Sequence, residues 1–122
     1  MRADRKNAKR SAPEVSGRRS IRILLADNHE LVRDALRPGF LSISENIILV
    51  ECGSFEEALE LAGKDGEPSL AVLGFRMPGM NGLDGVRAFH ERFPNVPLAV
   101  LSGSHHVVEI FKAFDYGAAG FI

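Results

Sequence analysis

The sequence lacks the features that define secreted, disulfide-stabilised and membrane-spanning proteins. Its one cysteine, Cys52, cannot form an internal disulfide, which is typical of a reducing compartment. No apolar run approaches the roughly 18 residues of a membrane-spanning helix, and the first residues contain no apolar core of a secretory signal. We therefore expect a cytoplasmic protein with no membrane partner, and 122 residues suffice for one domain with a hydrophobic core.

Charge is distributed unevenly along the chain, although the formal net charge is only −1. Residues 1–20 carry a net charge of +5, which leaves −6 for residues 21–122. A basic segment of this kind can contact nucleic acid or another polyanion. Its polar composition, with Pro13 and Gly17 opposing a helix, is more typical of a solvated leader. We predict that residues 1–20 form a disordered basic arm and that residues 21–122 form the folded domain.

Short apolar runs alternate with helical patterns along residues 21–122. The runs are nearly continuous, as expected for strands buried on both faces. This alternation predicts one doubly wound α/β domain, with a parallel sheet, right-handed crossovers and helices on both faces. The predicted strands lie at 21–26, 47–50, 70–73, 96–101 and 118–122.

The intervening segments have the apolar spacing and the end signals of helices. Ser54 and Glu57 form the pattern of a capping box at the start of the second helix, which Gly63 ends. The first helix is expected to face the core with Leu31, Val32, Ala35, Leu36 and Phe40. The third is expected to do so with Leu83, Val86, either Phe89 or His90, and Phe93, and the fourth with Val107, Val108, Phe111 and Phe114.

The loop after the third strand has turn residues suited to a binding or catalytic site. Pro78-Gly79 and Asn81-Gly82 turn the chain sharply. In a parallel α/β sheet, loops at the carboxyl ends of the strands hold ligands, and strands one, three and four end close together. We therefore expect Asp27-Asn28, Gly74 and Ser102 to be neighbours, although Gly74 contributes no side chain.

Four segments with distinctive residues follow one another along the chain: Ala26–Glu30, Arg76–Gly82, Leu101–Ser104 and Gly117–Ile122. Together they resemble the receiver domains of two-component response regulators. The resemblance covers about residues 20–122, and near 26–37 it is greatest to receivers of LuxR- or NarL-type regulators. It implies a CheY-like, flavodoxin-like doubly wound parallel sheet with strand order 2-1-3-4-5, of which the final helix would be missing.

The family works as a phosphorylation switch. The resemblance implies a Mg²⁺ site made by an acid pair after strand one and an aspartate ending strand three. That aspartate accepts a phosphoryl group from the phosphohistidine of a histidine kinase. Mg²⁺ requires hard oxygen ligands, and phosphoryl transfer depends mainly on positioning and charge neutralisation.

The positions that match the metal and phosphoacceptor site are only partly retained. Asp27 matches the first acid, but Asn28 replaces the second. Gly74 stands at the phosphoacceptor position, and Arg76 matches the residue whose backbone carbonyl binds Mg²⁺. Since glycine cannot form an acyl phosphate and one carboxylate remains of three, we expect no aspartyl phosphorylation, no cofactor, and weak or absent Mg²⁺ binding.

Two further positions match groups that respond to phosphorylation in the family. Ser102 matches the hydroxyl residue that ends strand four, and Phe121 matches the aromatic switch residue on strand five. The family's lysine would fall beyond Ile122. The fourth helix and fifth strand of the family contact partners, so the resemblance implies a protein partner or a homodimer through that face.

The residues also allow simpler roles. Asp27 could cap the first helix, and Ser102 could cap the fourth. Arg76 could pair with Asp27 in place of the metal or could simply be exposed. The four histidines share no metal-ligand spacing with one another or with Cys52.

Three functional hypotheses follow. The first is a non-enzymatic pseudo-receiver of kinase-linked phosphorelay ancestry that acts through protein contacts. The second is the receiver part of a LuxR-type transcription regulator, which would bind nucleic acid only if an output domain follows. The third is a small flavodoxin-like nucleotide- or flavin-binding enzyme, which the acidic segment Asp27–Glu30 disfavours because it would repel phosphate.

Overall fold

The computed structural model describes residues 20–102 and 115–121, and these contain one parallel sheet of five strands in the order β2-β1-β3-β4-β5. The observed order confirms the predicted fold class. The predicted basic arm and fourth helix lie almost wholly outside the described residues. The strands are β1 (Ile21–Ala26), β2 (Ile47–Cys52), β3 (Leu70–Gly74), β4 (Leu98–Leu101) and β5 (Gly120–Phe121). The helices are α1 (Glu30–Leu41), α2 (Phe55–Ala62) and α3 (Leu83–Arg92).

The strand register aligns the carboxyl ends of β1, β3 and β4. Ala26 pairs with Leu73, and Gly74 pairs with Leu101. The backbone N–H of Phe75 continues this pattern by donating to the carbonyl of Leu101 at 2.9 Å. The residues that follow the three strands therefore meet at one edge of the sheet, as the sequence predicted.

The main hydrophobic core lies between the sheet and helices α2 and α3. Phe89 is completely buried there, and its ring centroid is 5.0 Å from that of Phe93. Leu24, Leu73 and Leu98 contribute buried side chains from the strands. Full burial of one such side chain is worth about 1.5–3 kcal/mol, and among the described residues more buried apolar side chains lie on this face than on the other.

The opposite face of the sheet has a smaller core beneath α1. Ile23, Leu25 and Val72 are buried there, while Leu36 and Phe40 of α1 pack against them and remain half-buried. The prediction that Leu31 and Ala35 also face the core is wrong, because Leu31 is 82% exposed and Ala35 is exposed. Residues 32, 36 and 40 form one row at a spacing of four, whereas 31 and 35 lie in the adjacent row that faces solvent.

Helix α2 begins as the capping box predicts. The Ser54 hydroxyl accepts a hydrogen bond from the Glu57 backbone N–H at 3.2 Å, and the Glu57 carboxylate accepts one from the Gly53 N–H at 3.2 Å. Two N–H groups that the helix leaves open are thus satisfied at once.

Two local features differ from, or add to, the sequence prediction. Strand β4 begins at Leu98 rather than Val96, because Pro97 has no N–H to donate to a neighbouring strand. Cys52, the last residue of β2, is buried, and burial raises the pKa of its thiol to about 11. In the part of the chain that the structure covers, no helix is long and apolar enough to span a bilayer.

Candidate functional site

A cleft of about 320 Å³ lies at the carboxyl edge of the sheet, where β1, β3 and β4 end. Four of the residues that the sequence singled out line it, and Gly74 lies at the end of the central strand beside it. The side chain of Phe121 is outside the described part of the structure. The polar lining residues are Asp27, Asn28, His29, Arg76 and Ser102, and the apolar ones are Val32, Phe75 and Leu101.

Asp27 has the most constrained side chain of this cleft. It is 6% exposed and is the only buried charged residue in the described part of the chain. Its Oδ1 atom accepts a hydrogen bond from the His29 backbone N–H at 2.7 Å and lies 3.0 Å from the His29 ring Nδ1. The N-cap residue of α1 is His29, so Asp27 stabilises the turn before the helix rather than capping the helix itself.

Gly74 and the Asp27 carboxylate are packed against each other. A Cβ atom built on Gly74 would lie 2.5 Å from Asp27 Oδ2 and 3.1 Å from its Cγ. Carbon and oxygen atoms that are not bonded do not approach this closely. The carboxylate of Asp27 therefore occupies space that a side chain at residue 74 would need.

The other expected residues are less constrained. Arg76 is exposed and makes no ion pair with any residue that the structure describes. Of the two roles that the sequence allowed, the exposed side chain is observed and the pairing with Asp27 is not. Asn28 is exposed, and Ser102 is half-buried at the end of β4. Whether Ser102 caps the fourth helix depends on residues outside the described part.

The loop after β3 is held firmly, as its turn residues predicted. Asn81 and Gly79 adopt positive φ angles of 54° and 82°, values that favour asparagine and glycine. The Pro78 carbonyl accepts a hydrogen bond from the Phe55 backbone N–H at 3.0 Å, which attaches the loop to the start of α2. This hydrogen bond fixes the segment that directly follows the cleft residues Phe75 and Arg76.

Sequence reasoning missed His29 as a residue of this site. The histidines were considered only as metal ligands, and their spacing excluded that role. The signal for His29 is its position two residues after an aspartate that ends a buried strand, since an aspartate in such a turn accepts hydrogen bonds from the residue two positions on.

Similarity to known proteins agrees with the observed fold. The sequence model of the response regulator receiver domain matches residues 23–122. The glycerol metabolism activator of Pseudomonas putida is 32% identical over 101 residues, covering 83% of this chain and 46% of that protein. The nitrate/nitrite response regulator protein NarL of Escherichia coli strain K12 is 31% identical over 109 residues, covering 88% and 50%.

Solved structures show the same similarity. The signal receiver domain of a NarL response regulator from Mycobacterium tuberculosis superposes with a TM-score of 0.72 at 28% identity, covering 84% of this chain and 82% of that one. The chain spans about half the length of the curated relatives that it matches. With most of the folded region matched, this chain belongs to the receiver domain family of response regulators.

Proposed function

We propose that this chain is a pseudo-receiver, a signalling module that has lost phosphotransfer to aspartate and acts through protein contacts. One observation carries the proposal: Gly74 stands at the phosphoacceptor position, and the carboxylate of Asp27 occupies the adjacent space. Glycine has no oxygen nucleophile. A side chain at residue 74 would require the Asp27 carboxylate to move from its position against His29.

The donor atoms do not fit a Mg²⁺ site of the kind that the family uses. Among the described residues that line the cleft, Asp27 alone has a carboxylate. Its Oδ1 accepts hydrogen bonds from His29, and its Oδ2 is packed against Gly74. Mg²⁺ requires near-octahedral oxygen coordination with little tolerance. In the described residues, no three histidine, cysteine, aspartate or glutamate side chains converge on a metal position. We therefore derive no step that uses the metal.

Without a covalent switch, such a module transmits a signal by binding a partner in one conformation better than in another. We propose a protein partner or a second copy, contacted through the fourth-helix and fifth-strand face, in the cytoplasm and without enzymatic activity. The family membership supports a partner of this kind because receiver domains act in signalling chains that begin with histidine kinases.

The test is incubation of the full chain with acetyl phosphate and Mg²⁺, followed by intact-mass analysis. We expect no base-labile increase of about 80 Da, the mass of one phosphoryl group. A receiver that carries aspartate at the position of Gly74, treated in parallel, shows that the donor is active. A stoichiometric adduct that is lost in base and stable in acid would identify an acyl phosphate and contradict the proposal.

A second candidate is the receiver part of a DNA-binding transcription regulator. It is favoured by the length of the relatives, which is about twice the matched span, and by the fact that one of them is named transcriptional activator protein ExaE. Reading the gene beyond the codon for Ile122 tests it. An in-frame helix-turn-helix pattern supports this candidate, and a stop codon contradicts it.

A further inference from the structure

The hydrogen-bonded pair of Asp27 and His29 has the geometry of an activated nucleophile, and the loss of the phosphoacceptor does not explain it. The 3.0 Å contact joins the Asp27 carboxylate to the ring Nδ1 of His29. An ionised carboxylate only accepts hydrogen bonds, so the Nδ1 that faces it carries the proton. In the neutral ring the lone pair is then on Nε2, on the opposite side of the imidazole.

The side chain that would react in this pair is exposed to solvent. The His29 side chain is 64% exposed, whereas the Asp27 side chain that orients it is 9% exposed. A buried carboxylate that accepts a hydrogen bond from Nδ1 holds the exposed imidazole in one tautomer and leaves the Nε2 lone pair available for reaction. We propose that His29 Nε2 is a phosphoryl acceptor, with Asp27 as its positioning residue.

Groups around His29 offset the negative charge of the segment Asp27–Glu30, which by itself repels phosphate. His29 is the N-cap residue of the 12-residue helix α1, and its side chain makes no capping bond. The N–H groups of Glu30 and Leu31 have no acceptor in the described residues. A phosphoryl group at a helix N-terminus is stabilised by such groups and by the helix dipole. The exposed Arg76 lines the same cleft and offers a positive charge, which offsets the acidic Glu30.

The step balances with phosphoramidate, a small donor that contains a phosphorus–nitrogen bond. The Nε2 lone pair forms the new nitrogen–phosphorus bond while the bond from phosphorus to the ammonium nitrogen of the donor breaks, and ammonia leaves without needing a further proton. The proton on Nδ1 stays hydrogen-bonded to Asp27. The carboxylate then stabilises the positive charge of the phosphorylated ring.

The test is the labelling of the full chain by phosphoramidate at neutral pH, with the adduct mapped to individual histidines by mass spectrometry. His90 is the internal reference, because its Nδ1 is buried and has no hydrogen-bond partner in the described residues. We expect His29 to be labelled roughly tenfold faster than His90 and Asp27→Asn to remove most of that advantage, a loss on the order of 10-fold for an orienting partner. We expect His29→Gln to abolish the fast adduct and the matched variant His90→Gln to retain it.

A second measurement separates positioning from folding. We expect the ¹⁵N NMR signals of His29 in the unlabelled protein to show the Nδ1–H tautomer at neutral pH, and Asp27→Asn to shift that population. Equal labelling of His29 and His90, a fast adduct that persists in His29→Gln, or the Nε2–H tautomer in wild type would overturn the proposal.

The chemistry of the adduct distinguishes this inference from the function proposed above. A phosphohistidine is acid-labile and base-stable, whereas an acyl phosphate shows the reverse behaviour. The absence of any adduct would overturn the His29 site and leave the pseudo-receiver proposal standing. A base-labile adduct on a carboxylate would overturn the pseudo-receiver proposal, and without labelling of His29 it would overturn both.

Discussion

Two regions of the molecule differ in how closely they follow the receiver pattern. One is the face of the sheet that α2 and α3 cover, and the other is the edge where β1, β3 and β4 end. The face keeps a continuous core in which Phe89, Leu73 and Leu98 are completely buried. The edge keeps the turn geometry of the loop after β3 but has glycine where the resemblance places the reacting carboxylate. Packing and chemistry are thus separable here, because the residues that stabilise the fold are not those that would react.

The largest expected effect on stability comes from a substitution in the core beneath α2 and α3. Phe89→Ala removes a completely buried ring that contacts Phe93 at a centroid distance of 5.0 Å, so we expect a loss of about 3–5 kcal/mol in the free energy of unfolding. Urea denaturation measures it. The matched control is Leu31→Ala, an exposed position where the change should be within about 0.5 kcal/mol. A small effect of Phe89→Ala would mean that the face is not the source of stability.

An intermediate effect is expected at the edge. Gly74→Asp places a side chain against the Asp27 carboxylate, which must move away from His29, and we expect a loss of about 1–3 kcal/mol from overpacking and like-charge repulsion. Because two carboxylates then face the cleft, Mg²⁺ should raise the melting temperature of this variant but not that of wild type.

The control for this variant is Gly74→Asn, which has nearly the same size without the charge. It should lose similar stability and gain nothing from Mg²⁺. If Mg²⁺ has no effect on Gly74→Asp either, the exchange of an acid for Asn28 has dismantled the metal site independently, and the edge is further from a receiver than the single glycine indicates.

The smallest effect concerns a second acidic residue near the same edge. Glu51 in β2 accepts hydrogen bonds from Arg37 at 2.6 and 2.9 Å, and this interaction holds the pKa of the Glu51 carboxyl below its ordinary value of 4.5. A lowered folded-state pKa means that the stabilisation is present above the unfolded pKa and is lost as pH falls through the folded one.

We therefore expect Glu51→Gln to lower the melting temperature slightly at pH 7 and to have no effect at a pH below the lowered pKa of Glu51, where both proteins lack the charge. Thermal unfolding monitored by circular dichroism at the two pH values measures this. A difference that is the same at both pH values would show that the ion pair is not its cause. The comparison separates Glu51, a structural acid, from Asp27, which lines the cleft.

Much of the fold could be predicted because its signals are local. The alternation of apolar runs, the Ser54 cap and the turn residues 78–82 each depend on neighbours in sequence, and the structure agrees with them. The prediction of which side of α1 faces the core was partly wrong, because Leu31 and Leu36 are equally apolar. Only the sheet beneath the helix determines which row of side chains is covered.

The sequence predicted which residues lie together at the site but not the contacts between their side chains. The sequence indicated that Asp27 and Gly74 would meet, since they follow adjacent parallel strands. It could not show that the carboxylate of Asp27 fills the space beside Gly74, because that depends on a side-chain rotamer. The same rotamer brings the Asp27 carboxylate to His29. The contacts of Asp27 with Gly74 and with His29, neither of which the sequence predicted, therefore have one physical cause.

The thiol of Cys52 can report local opening of the sheet at the end of β2. Only the thiolate reacts with alkylating reagents, and the buried Cys52 with its pKa of about 11 is almost entirely protonated at neutral pH. The chain has no other thiol. The rate of alkylation therefore reports how often the end of β2 opens locally and exposes Cys52. A partner that closes this edge would slow the reaction, so the binding of an unlabelled partner could be followed through one sulfur atom.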